Sequence, residues 1–151
     1  MKKYIIAIGI LLALGAFGVF YFWHGQSAVP LVSGAKSEVV YRNASADTIV
    51  VASPKPGELF GSIIDVQGRA RGRWYFEASF PVSVEDSAGN VIGSGVATAG
   101  SDWMTTEFVP FTATITLTTS YVGEAKVILK KDNPSGESSR DASITIPITI
   151  Q

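Results

Sequence analysis

From residue 74 to residue 84 every second side chain is apolar: Trp74, Phe76, Ala78, Phe80, Val82 and Val84 share one parity. Tyr75, Glu77, Ser79, Pro81, Ser83 and Glu85 share the other. Successive side chains of an extended chain point to opposite sides, so this period of two specifies a strand with one buried and one wet face. Aromatic side chains bury roughly 150–250 Å² each. The stretch is therefore the expected main contributor to a core.

The same pattern recurs on both sides of it. Residues 48–53 read as a strand that stops at the Pro54-Lys55-Pro56-Gly57 turn cluster. Over residues 62–71, Ile64, Val66, Gly68 and Ala70 face inward while Asp65, Gln67, Arg69 and Arg71 face outward. Asp86 to Asn90 reads as a hairpin turn, and residues 91–99 form a strand in which Gly93 and Gly95 mark a bulge or a close approach. Ala113, Ile115 and Leu117 alternate with threonines. Ala125, Val127 and Leu129 alternate with Glu124, Lys126 and Lys130, and Ile128 interrupts the polar face. Ile144, Ile146, Ile148 and Ile150 end the chain as a last strand. Pro147 has no N–H, so that strand is expected at an edge, or with the Pro147 amide position turned from its neighbour. About seven short strands with turns between them form a β-sandwich pattern. A two-residue turn at Gly72-Arg73 would set Arg71 beside Trp74, a charged face against an apolar one. Either the loop is longer by an odd count, or the chain crosses there to the other sheet.

The N-terminus has a different character. Lys2 and Lys3 precede residues 4–23, a run without a charge. At ~1.5 Å per residue, about 20 residues span a bilayer's hydrocarbon core. That is longer than the apolar core of a cleaved signal peptide, and Gly25-Gln26-Ser27-Ala28 matches a cleavage site poorly. The expectation is an uncleaved signal anchor. The next basic residue after Lys3 is Lys36, so the positive-inside rule puts residues 1–3 in the cytoplasm and the rest outside. Phe20 to Trp23 suits an aromatic belt at the outer headgroups. Residues 24–46 read as a linker, within which a short strand is allowed around 37–42, and residues 47–151 as the folded domain.

Composition removes several function classes. Twelve basic and thirteen acidic residues give a net charge of −1, without the basic surplus that nucleic acid demands. No cysteine is present, and the single histidine, His24, precedes the domain. Ser-His-Asp and Cys-His arrangements are thus not open to the domain. Glu77, Glu85, Asp86 and Asp102 are the carboxylates that would have to converge in an acid–base site; as strand-face and turn residues they need no such role. Asp86 to Asn90 and Asp132 to Ser135 offer oxygen ligands for calcium, but without EF-hand spacing. No metal, cofactor or catalytic residue is assigned.

Several motifs in order carry a resemblance: Arg71-Gly72 and Trp74 to Val82, Asp86 with Gly89, Asp102 to Thr105, Phe108 with Pro110-Phe111, Lys131 to Gly136, and Ile146-Pro147. Together they resemble the immunoglobulin-like domain of bacterial spore germination, a module often found beside a germination/maturation domain of the GerM type, over roughly residues 48–150. The resemblance implies an immunoglobulin-like sandwich in an extracytoplasmic bacterial protein and implies no catalysis.

The expected fold is thus all-β, an immunoglobulin-like antiparallel β-sandwich of about seven strands, preceded by one transmembrane helix. The expected function is a non-catalytic module on the outer face of the cell membrane, for protein docking or spacing in the envelope; binding of cell-wall glycan is the alternative. Arg69, Arg71, Arg73 and Glu77, with Tyr75 on the wet face, form the candidate partner surface for an acidic polymer or a protein. The structural alternative for these charges is an Arg71–Glu77 or Arg73–Glu77 ion pair. Trp103 completes the candidates: outward it would stack on a sugar or anchor a partner, and inward, with Val109 and Phe111, it belongs to the core.

Overall fold

β-branched and aromatic residues alternating with polar ones build nine strands among residues 38–151, the part of the chain described by a computed structural model. They are β1 (Val40–Arg42), β2 (Ile49–Ser53), β3 (Leu59–Phe60), β4 (Ile63–Arg71), β5 (Ser79–Asp86), β6 (Val91–Ala99), β7 (Phe108–Thr116), β8 (Gly123–Lys130) and β9 (Ser143–Ile150). The anchor expected at residues 4–23 lies outside the described residues. Among the described residues no helix is long and apolar enough to cross a membrane.

Hydrogen bonding links the strands in the order β1-β9-β8-β5-β6-β7-β4-β2, and β3 pairs with β9. Every pair is antiparallel except β3 with β9. The β6–β7 ladder is short, Thr98 opposite Thr112 and Ala99 opposite Phe111. There the sheet folds over, and β2-β4-β7 faces β6-β5-β8-β9 across one core. Phe80 of β5 and Phe111 of β7 meet edge to face with centroids 5.0 Å apart. A Cβ on Gly95 would meet the tip of the Ile115 side chain, so β6 passes close over β7 there. The bulge lies at the same strand, where register slips between Val84 and Glu85 of β5.

The inward residues expected on β4, β7, β8 and β9 are those found buried, Gly68 and Leu117 being only partly so. One reading changes, and two left open are settled. β1 is the short strand allowed around 37–42 within the stretch read as linker, and it pairs with the start of β9. The strand expected from residue 74 begins only at Ser79, because Gly72–Trp74 winds into a 3-10 turn and Glu77 and Ala78 take positive φ of 49° and 62°. And β4 and β5 do not pair: the chain crosses there from one sheet to the other. β9 also resolves the proline. Pro147 stands opposite Lys126 of β8 and on its other side falls between the partners β1 and β3, where its carbonyl accepts the Gly57 N–H at 2.9 Å.

Candidate functional site

Strand registers place the connections 43–48, 72–78, 100–107 and 131–142 at one end of the sandwich. In immunoglobulin variable domains the binding loops likewise cluster at one end. Here the loops are fastened to each other. Gly72 presses against the 100–107 loop: a Cβ there would collide with the carbonyls of Trp103 and Thr105, and the Gly72 N–H donates to Glu107 O at 3.3 Å. The Trp74 carbonyl accepts the Asp132 N–H at 3.0 Å, which ties down the 131–142 loop. The Trp74 side chain is 3% exposed and meets Phe80 edge to face at 5.8 Å.

The wet-face role of Tyr75 is corrected. The 3-10 turn buries Trp74 and Tyr75 in succession, which period-two alternation forbids. Tyr75 is 4% exposed, and its hydroxyl donates to Val109 O at 2.7 Å. Burial pushes the phenol up to about 12, with a backbone hydrogen bond to Ala70 opposing the rise. Tyr75 is a core tether and takes no part in a partner surface.

Arg71 is also committed internally. Its Nε donates to Asp47 O at 3.1 Å and its Nη1 to Thr106 O at 3.2 Å, and it pairs with Glu107 at 3.5 Å rather than with Glu77. Its guanidinium lies 4.2 Å from the Phe108 ring centroid, with that of Arg69 4.9 Å from the same ring. Arg71 thus staples the 43–48 and 100–107 loops together. Glu77 is exposed on a two-residue turn, where Phe76 and Ser79 exchange backbone hydrogen bonds of 3.0 and 3.1 Å. The alternative Arg73–Glu77 pair is not formed either: among the described residues Arg73 makes no ion pair and no side-chain hydrogen bond. Trp103 is half-buried against the core, consistent with the inward reading, although it sits in a loop and not on a continuous strand with Val109.

Between these loops lies a cleft of about 460 Å³. Arg71, Arg73, Lys131 and Arg140 line it, with the nearly buried Trp74, and Asp141 is the acid among them. Lys131 Nζ donates to Arg140 O at 3.1 Å, and Arg140 pairs with Glu137 through Nε at 3.0 Å. Asp141 accepts from the Asn133 side chain at 2.8 Å. Arg71 and Arg73 are thus the two predicted site residues that share the cleft, and Arg69, Tyr75, Glu77 and Trp103 are not among its lining. Lys131 and Arg140 were missed. Lys131 opens one of the motifs noted in the sequence, whereas Arg140 sits in a polar run that reads only as a turn.

The oxygen-rich turns are occupied by their own chain. Asp86 accepts from the backbone of Ala88 and Asn90 at 2.9 and 2.8 Å and from the Asn90 side chain at 2.9 Å. The Asn90 side chain, with its backbone N–H, holds the Asp86 carboxyl below its usual range. Asn133 bonds Glu137 O, Asp141 and Ser135. Among the described residues no group of three His, Cys, Asp or Glu side chains is placed to hold a metal ion.

No curated protein and no solved structure matches this chain. A family-wide sequence profile, however, matches residues 48–138, from the approach to β2 into the 131–142 loop. Over most of the described sandwich, then, with Gly72, Trp74, Trp103 and Asp132 tying its loop end together, the chain belongs to the family of the immunoglobulin-like domain of bacterial spore germination.

Proposed function

We propose that the domain is a non-catalytic docking module, held on the outer face of the cell membrane by residues 4–23, and that it engages an envelope protein through its loop-end cleft. One observation carries this reading. Three of the twelve basic residues precede Glu38, which leaves nine basic against thirteen acidic residues from there on, a net charge of −4. Four of those nine cations line a single cleft. Four cations against one acid, Asp141, in the lining of a net-acidic domain steer an anionic partner into the cleft and fix its orientation there. Cell-wall glycan as the ligand has less support. Stacking on a sugar at the cleft calls for an open aromatic face there; Trp74 is buried, Trp103 is half-buried, and the exposed rings of Tyr41 and Phe76 do not line the cleft.

The test is site-specific crosslinking in cells of the full chain. A photoreactive residue at Ser139, on the cleft, is expected to capture a discrete envelope protein. The same residue at the exposed Ala88, in the turn at the other end, is expected not to. Capture should disappear on Arg73→Glu. Equal capture at both ends, or none at Ser139, removes the docking reading; salt-resistant co-sedimentation with protein-free sacculi in its place would favour glycan.

A further inference from the structure

We infer that the occupant of the cleft is an acidic peptide segment that carries apolar side chains between its carboxylates. The inference rests on the docking reading and names the chemistry of its partner. The four cations are not equivalent. Arg71 spends its guanidinium on Asp47, Thr106, Glu107 and the Phe108 ring, and so acts as a positioning residue. Arg73 is exposed and unpaired among the described residues, and its planar fork can take a carboxylate in bidentate fashion. Lys131 gives one hydrogen bond to Arg140 O, and an ammonium has three to give. Arg140 meets Glu137 through Nε, on an exposed pair that competes weakly with an incoming anion. Three cations therefore face the cleft with donors to spare.

The remaining lining decides which anion fits. Ala142 and the 3% of Trp74 left exposed are the apolar residues of the lining, a small surface that an apolar side chain can cover and a phosphate polymer cannot. Asp141 stands among the cations. It repels a ligand with a charge on every repeat unit, but tolerates one in which carboxylates are spaced by neutral residues. Within the lining four cations stand against the single acid Asp141, and the other acids of these loops, Asp47, Glu77, Asp102, Glu107, Asp132 and Glu137, lie outside it, so an acidic segment is drawn to the cleft itself and not to the loop surface around it.

The full chain in detergent micelles is titrated into a fluorescein-labelled peptide of alternating glutamate and leucine, read by anisotropy. The glutamine–leucine peptide of the same length is the neutral control. The acidic peptide is expected to bind at least about tenfold more tightly than the neutral one. Binding should weaken with added salt and fall by about tenfold or more in Arg73→Glu/Lys131→Glu. Arg73→Gln, a milder change at an exposed position, should give an intermediate loss with unchanged far-ultraviolet circular dichroism. Equal binding of the two peptides, no binding of the acidic one, or indifference to both variants overturns the inference. So does displacement of the peptide by inorganic polyphosphate at lower concentration than by unlabelled peptide, which would mark a phosphate polymer as the ligand. A crosslink at Ser139 that persists beside any of these results leaves docking standing and removes only the acidic ligand.

Discussion

Tyr75 shows how one hydroxyl is used where two sheets meet. Its ring packs 5.2 Å from Phe80 and its O–H reaches across to the β7 backbone at Val109, so it joins the crossover loop to the opposite layer. Tyr75→Phe keeps the ring and leaves the hydrogen bond unmade, at a cost of about 1–2 kcal/mol in urea unfolding. The phenol also gives the protein an alkaline limit. In the unfolded chain it ionises near its ordinary value of 10, while in the folded protein burial holds its proton to about 12. Its contribution is therefore complete below pH 10 and is lost as the pH rises through 12. Wild type should lose stability over that window, and Tyr75→Phe should lose less over the same window. Parallel pH profiles for the two proteins would show that the hydroxyl is not the group responsible.

Among the elements, the turn between the 3-10 segment and β5 is the one built from the wrong residues. Two-residue hairpin turns with positive φ at both centres favour Asn-Gly, yet Glu77-Ala78 occupies this one at 49° and 62°. Left-handed backbone costs a residue with a Cβ roughly 1–2 kcal/mol. Replacing the pair by Glu77→Asn/Ala78→Gly should stabilise the domain by about 1–2 kcal/mol, part of the gain being returned as the added chain entropy of glycine. A lowered melting temperature would mean that the Ala78 methyl, half-buried beside the β6 terminus, packs for more than the strain it carries.

The same turn marks the limit of what alternation can tell. β4, β7, β8 and β9 were legible because each has one face in a common core and the other in water, so parity maps directly onto burial. Residues 74–78 carry that alternation in sequence but not in burial: the buried pair Trp74-Tyr75 is set by a one-turn helix, and Phe76 is left exposed. The charge clash foreseen between β4 and β5 was the surviving clue, since it required either an odd-length loop or a crossing, and the chain crosses. In the cleft, Arg71 and Arg73 stood out as a charged run in one segment. Lys131 and Arg140 reach them only through the β8–β9 connection, a contact between distant parts of the chain that carries no local periodicity.

On the scale of the whole molecule, the proposed role needs the cleft outside the cell and the anchor intact. A domain without cysteine makes both testable with one reagent, because a single introduced thiol is the only thiol in the chain. Ala88 is an exposed turn residue whose backbone N–H, not its side chain, bonds Asp86, so Ala88→Cys leaves the fold undisturbed. Lys3 lies in the short basic segment that the positive-inside rule assigns to the cytoplasm. In intact cells a membrane-impermeant maleimide should label Ala88→Cys and spare Lys3→Cys until the membrane is opened with detergent. After alkaline carbonate extraction the labelled chain should remain in the membrane pellet at its full mass, because a run of twenty uncharged residues inserts while a peripheral contact is stripped away. Labelling of Lys3→Cys in intact cells would invert the topology and place the cleft out of reach of envelope partners. Release of labelled protein by carbonate, or a mass short of the N-terminal segment, would remove the anchor and leave a free module whose docking at the membrane must come entirely from its partner.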